Sequence, residues 1–260
     1  MHFFRYAAMF CCTLMFLSGC YDITEEVTIE PSGKGVYVTN IDMGQLMSMI
    51  KTYAAMDSSK DLSIFNQNLD STIYLKSYAD TAKDLDPETR KLMGNATVRM
   101  IIRADSNVFK ITMKAPFENL GQLQKLQNQL SKAGGGMQSI GTFLGGKGSD
   151  SSKGDNAPGM SPDHINDVLH TAWTDHKITR ALDQHAYDNL MKDSLMQQAK
   201  QMASLMGDAK FKTIIHLPRP AKKVESKSSL LSDDRKTITF ERSLSDMFYA
   251  PADFTFTIDY

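Results

Sequence analysis

Polar and apolar positions alternate through Val27-Thr28-Ile29-Glu30 and again through Val36-Tyr37-Val38-Thr39, on either side of Pro31-Ser32-Gly33-Lys34-Gly35. A period of two bounded by turn residues predicts a β-hairpin. Leu46, Met47, Ile50, Tyr53 and Ala54 then fall at helical spacing, so 44–56 reads as an amphipathic helix with Asp42 placed to cap it. The polar stretch 57–70 reads as a loop, and 73–81 as a helix. Asp86 before Pro87 opens a short helix to 93, which Gly94 and Asn95 stop. Strands at 97–103 and 108–114 flank Asp105-Ser106-Asn107 as a second hairpin. Leu120, Leu123, Leu126 and Leu130 mark a helix over 117–132.

The pattern breaks at 133–163. Gly134-Gly135-Gly136, Gly145-Gly146 and Gly148 dilute the apolar residues, and 149–153 is nearly all small or charged. Such a stretch buries too little to offset the entropy of ordering, so it reads as a flexible Gly/Ser-rich insertion. Periodicity then returns. Strands at 168–174 and 177–182 flank Asp175-His176, and 187–206 reads as the longest helix, with Gly207 as its stop. A strand at 211–217 ends at Pro218 and Pro220, a strand at 237–241 follows the turn Ser232-Asp233-Asp234, and 254–260 closes as a strand with Phe254, Phe256, Ile258 and Tyr260 on one face. Hairpins alternating with helices predict the α+β class: an antiparallel sheet with helices packed on one face. The expected organisation is a leader at 1–19 and a single domain over 20–260.

The leader is read from its own pattern. Arg5 is its only charged side chain, 6–17 is apolar but for Thr13, and Leu17-Ser18-Gly19-Cys20 follows. This n-region, h-region and small-residue site form an export signal, and the last four residues resemble the lipobox of bacterial lipoproteins. About twelve apolar residues are too short to span a bilayer core of roughly 30 Å. By that resemblance Cys20 receives a diacylglyceryl thioether and becomes the first residue of the mature chain. Acyl chains contribute about 0.8 kcal/mol per buried CH₂, so two or more anchor a protein stably.

Cysteine usage agrees with this. Cys11 and Cys12 leave with the leader and Cys20 is consumed by lipid, so the exported domain has no thiol for a disulfide, a zinc site or a nucleophile. Tyr21, where an aspartate would favour retention at the inner membrane, directs the expectation to the outer membrane or cell surface of a Gram-negative bacterium. Asp22, Glu25 and Glu26 match, with interruptions, the acidic residues that some Bacteroidetes-type lipoproteins carry there as a surface-export signal. With 29 basic and 30 acidic residues the chain has a formal charge of −1, so no strong field favours nucleic acid.

Candidate chemistry is sparse. His164, His170, His176 and His185 are close in sequence, but no H-E-x-x-H occurs and no cysteine can assist, so no metal is expected. There is no G-x-S-x-G, and Gly145-Gly146-Lys147-Gly148-Ser149 lacks phosphate-loop spacing. Arg219, Lys222, Lys223 and Lys227 form a basic run beside prolines, suited to a solvated loop or a headgroup contact. Methionines including Met43, Met47, Met191, Met196, Met202 and Met206 suit either an ordinary core or a deformable cavity for an acyl chain between the long helix and the sheet.

Cys20, the hairpin running into Ile41-Asp42-Met43, the stretch 173–180, and Leu217-Pro218-Arg219-Pro220 through Lys236-Thr237-Ile238-Thr239-Phe240 together resemble the LppM-type family of bacterial envelope lipoproteins and its Bacteroidetes relatives. The resemblance implies an α+β domain and, from the mycobacterial relative, lipid or glycolipid binding. This chain differs from that family in carrying no C-terminal apolar span. The expectation is a non-enzymatic, cofactor-free, lipid-anchored envelope protein that binds a lipid or other apolar ligand. The alternative is a structural or assembly partner of another envelope protein.

Overall fold

Alternating burial along each strand builds the sheets. In the computed structural model, which describes residues 22–45, 47–48, 51–52, 68–81, 85–132, 168–194, 196–197, 200–201 and 209–260, the chain opens on β1 (Asp22–Ile29) and β2 (Gly35–Asp42). They pair antiparallel from Asp22↔Asp42 to Ile29↔Gly35, the hairpin that the alternation predicts. Then come β3 (Leu69–Tyr74), α1 (Lys76–Thr81), α2 (Pro87–Gly94), β4 (Thr97–Arg103), β5 (Val108–Phe117) and α3 (Leu120–Lys132). The later part holds β6 (Leu169–Trp173), β7 (Lys177–Leu182), α4 (Gln184–Leu190), β8 (Lys210–His216), β9 (Lys223–Glu225), β10 (Leu230–Leu231), β11 (Thr237–Ser243), α5 (Leu244–Tyr249), a 3₁₀ turn (Pro251–Phe254) and β12 (Phe256–Asp259).

The α+β class holds, and hairpins build most of the sheet. An eight-stranded sheet runs β10-β11-β8-β1-β2-β5-β4-β3. Its pairings are antiparallel except β1 with β8, which run parallel from Asp22↔Lys210 to Thr28↔His216. A smaller sheet, β6-β7-β12-β9, forms a separate layer where the sequence pattern predicts one sheet. Sequence alternation shows that a strand has an apolar face. It does not show which other strand that face will meet.

Both the small sheet and the helices lie on one face of the large sheet. Val27, Ile215, Ile238 and Phe240 from the large sheet share a buried cluster with Trp173, Ile178, Phe256 and Ile258 from the small one. The Phe240 and Phe256 rings stack with centroids 4.2 Å apart. Leu92, Leu123 and Leu126 from α2 and α3 join the same cluster beside Ala115 and Phe117 of β5. Met43 and Met47 cover a separate buried patch with Ile23, Ile41 and Ile111. Leucines at i, i+3 and i+6 explain how α3 does this, since that spacing keeps them on one helix face.

Local chemistry sets the ends of elements. The Asp86 carboxylate accepts from the Glu88 and Thr89 N–H groups at 3.0 Å, so α2 has the acidic cap and N1 proline predicted for it. Asn107 takes a φ of 53° in the β4–β5 turn, a left-handed conformation asparagine tolerates. Several boundaries differ from the pattern-based reading: Leu69 and Asp70, read as loop, pair in β3, and Phe254, read as strand, closes the 3₁₀ turn before β12. The stretch 73–81 is predicted as a helix, but Ile73 and Tyr74 complete β3 against Val98 and Thr97, and the helix starts at Lys76. Pairing with β4 satisfies backbone groups that an isolated short helix would leave frayed. The predicted helix 187–206 instead begins at Gln184, capped by Asp183, and α4 ends at Leu190. There Lys192 and Asp193 donate to Asn189 and Leu190 in tight turns, and helical geometry resumes after Asp193. Phe117 closes β5 instead of opening α3, because Asn119 Oδ1 accepts from Gln122 N at 3.0 Å and starts the helix there. Residues 133–163, with the predicted flexible insertion, lie outside the described residues.

The closest backbone approach is at Gly35. A Cβ there would lie 1.9 Å from the Thr28 carbonyl oxygen and 2.5 Å from Phe117 Cζ. Glycine lets β1, β2 and the end of β5 come together at that point. Gly35→Ala is expected to lower stability by about 1–3 kcal/mol through overpacking, read as a lower urea midpoint with an unchanged m-value.

Candidate functional site

Strand β1 follows the predicted lipidation site closely and carries the acids read from the sequence. Cys20, the predicted lipidation site, lies outside the described residues, and β1 begins two residues later at Asp22. From there the side chains alternate. Ile23, Glu25, Val27 and Ile29 face the interior, while Thr24, Glu26 and Thr28 lie on the outer face of the large sheet.

Glu25 therefore points between the two sheets, and the small sheet supplies its partner. Arg180 of β7 donates from Nη2 to Glu25 Oε2 at 2.9 Å, with the two side chains only 16% and 11% exposed for Glu25 and Arg180. Tyr37 of β2 donates its hydroxyl to Glu25 Oε1 at 2.7 Å. The other two guanidinium nitrogens also donate: Nε reaches Thr171 Oγ1 at 2.9 Å and Nη1 reaches Thr213 Oγ1 at 3.2 Å. The guanidinium also lies 5.2 Å from the centroid of the Phe256 ring. Each carboxylate oxygen and each guanidinium nitrogen thus has a partner, the condition under which a charge pair survives desolvation.

Burial pushes the Glu25 carboxyl up. The Arg180 charge, with hydrogen bonds from Tyr37, Arg180 and Thr213, outweighs it and holds the group below its ordinary value. Burial and the Glu25 charge push the Tyr37 hydroxyl well above its ordinary value, so it remains a donor. This cluster joins sheets. Its polar atoms point at one another, which suits cross-linking the two sheets.

On the outer face, Glu26 Oε1 lies 2.9 Å from His216 Nε2, and His216 Nδ1 lies 3.1 Å from Thr237 Oγ1. Three adjacent strands, β1, β8 and β11, supply this hydroxyl–imidazole–carboxylate row. Such a row can pass a proton, but acyl transfer also needs donors for a developing oxyanion. The Thr237 N–H is spent on Ser232 Oγ at 2.9 Å. His216 belongs to no motif, and only the strand register reveals the row.

The other sequence candidates are dispersed. His170, His176 and His185 are exposed, and they sit on β6, in the β6–β7 turn and on α4 respectively; His164 lies outside the described residues. Among the described residues no group of three or more His, Cys, Asp or Glu is placed to hold a metal. The basic run is engaged locally. Arg219 stacks 5.1 Å from the Tyr260 ring centroid, Lys222 reaches Tyr260 O at 3.3 Å, Lys223 pairs with Glu225, and Lys227 pairs with Asp253. Trp173 faces inward and donates to Gln127 Oε1 at 2.7 Å. Of the acids read as an export signal, Glu25 and Glu26 are working members of β1, and Asp22 is exposed. Met43, Met47, Met100, Met196 and Met247 are buried among apolar neighbours, while Met202 and Met206 lie outside the described residues. Among the described residues, no helix is long and apolar enough to cross a membrane.

Compared with protein-family models, with curated proteins and with solved structures, the chain matches none.

The Glu25–Arg180 pair generates two expectations for a chain starting at Tyr21. Arg180→Met leaves a carboxylate between the sheets without its cation and is expected to cost about 3–5 kcal/mol in urea unfolding. Replacing Glu25 by Met in the same chain should recover part of that loss, a positive coupling in a double-mutant cycle. The sign of the pH dependence follows from the lowered Glu25 value. Its contribution is fully present above the ordinary carboxyl range and is lost as pH falls through the lowered value. Stability in the acid limb should fall less steeply in Glu25→Gln than in the native chain, read from urea midpoints over a pH series.

Proposed function

We propose that this chain is a non-enzymatic, lipid-anchored envelope protein, attached through Cys20 to the outer membrane or cell surface of a Gram-negative bacterium, whose domain binds a lipid or another apolar ligand. One observation carries the anchoring part: the lipobox-like Leu17-Ser18-Gly19-Cys20 closes an export-signal pattern and lies only two residues before β1 (Asp22–Ile29). The resemblance to LppM-type lipoproteins supports the ligand part. The soft methionines around Ile23 and Ile41, which pack deformably, support it as well.

The second reading is a structural or assembly partner of another envelope protein. Tyr74 is 70% exposed on the edge strand β3, and Tyr78, 45% exposed, follows on α1. Large exposed rings on and after an edge strand suit a protein contact.

Metabolic labelling with a fatty acid tests the anchor. The full chain expressed in a Gram-negative host should take up label and float with membranes. Cys20→Ala should do neither, and an inhibitor of lipoprotein signal peptidase should leave the uncleaved precursor. Label retained in Cys20→Ala refutes the anchor. For the ligand, native mass spectrometry of the mature chain should show a lipid-sized adduct released by organic solvent; a bare protein favours the assembly partner.

A further inference from the structure

Strand β1 reports which way the domain faces once Cys20 is held at a bilayer. Cys20 and Asp22 are two residues apart, and each step of the chain advances at most ~3.8 Å, so the anchor lies within about 8 Å of the start of β1. β1 is an inner strand of the large sheet, between β8 and β2. It cannot swing independently, because Glu25 is tied to β7 and Glu26 to His216. A short covalent link to a central, clamped strand fixes the end of the whole domain, whereas a link to a frayed terminus would not.

The strand register identifies what lies at that end. Asp22 is level with Asp42 and Lys210, and through them with Lys110 and Ser243. The 104–107 turn projects one step further, with Met43 N–H donating to Phe109 O at 2.7 Å. α5 starts there too, as Leu244 N–H donates to Ala209 O at 2.8 Å. At the end of α5, Tyr249 is 72% exposed, with Lys200 Nζ 4.6 Å from its ring centroid. An amphipathic ring beside a long cationic chain suits the headgroup layer. Two rim lysines are paired, Lys110 with Asp42 at 3.0 Å and Lys210 with Glu241 at 3.7 Å.

Resting on the lipid-anchor reading, we propose that the end of the sandwich where β1 begins sits against the phospholipid surface, with the strands standing away from it. The turns around Ser32 and Asp233 then form the distal end. Eight residues of β1 at ~3.3 Å each put roughly 26 Å between the two ends.

The mature chain has no thiol apart from Cys20, so one introduced cysteine takes a unique fluorophore. Ser106→Cys and Asp233→Cys place it at exposed turns at the two ends, and Ser32→Cys gives a second distal position. Each full lipidated chain is reconstituted into phosphatidylcholine vesicles carrying a headgroup-linked quencher. The expected result is quenching at position 106 at least about twofold stronger than at 233 and 32, given the height difference of roughly 26 Å. Equal quenching at both ends, or stronger quenching at the distal positions, overturns the orientation. The mass of the N-terminal peptide separates the two proposals. An acylated Cys20 with equal quenching leaves the anchor standing and removes the orientation; an unmodified Cys20 removes both.

Discussion

The Glu25–Arg180 contact is the interaction on which the arrangement of the layers depends. Two charged groups sit between apolar sheets, and each is costly to bury alone. Their cost is offset only when β1, β2, β7, β6 and β8 are all in place, because Tyr37, Thr171 and Thr213 complete the hydrogen bonding. Apolar packing such as Phe240 on Phe256 rewards contact in many registers. The ion pair rewards one, so it selects the relative placement of the sheets.

β1 carries this selection outward as well. Its inner face holds Glu25, its outer face holds Glu26 against His216, and its two edges pair with a near neighbour, β2, and a remote one, β8. The parallel β1–β8 pairing joins the beginning of the fold to its last third, and β11 then extends the sheet beyond β8. A strand held on four sides transmits a pull at its first residue to the whole domain.

Elements whose signals are local were legible in sequence. The β1–β2 and β4–β5 hairpins, the Asp86-capped α2, the β6–β7 hairpin and the leucine face of α3 all follow from residues within a few positions of one another. The errors arose where a remote partner decided. Ile73 and Tyr74 became strand because β4 offered a ladder, and the helix expected through 187–206 was interrupted where Asn189 and Asp193 favoured a turn. The polar rows were the least legible. Glu25 and Glu26 look like solvated acids beside an anchor, and nothing within ten residues of either signals Arg180 or His216.

The sequence by itself determined the hairpins and helices, their α+β class and the lipobox-like start, because each depends on periodicity, composition or short spacing. Tertiary structure alone decided the parallel β1–β8 pairing, the division into two sheets, and the partners of Glu25 and Glu26. Those choices turn on which distant strand offers the matching apolar face and the one complementary charge. A linear pattern records that a face is apolar or a side chain charged, while the energy of burial is fixed only when the opposing atoms arrive.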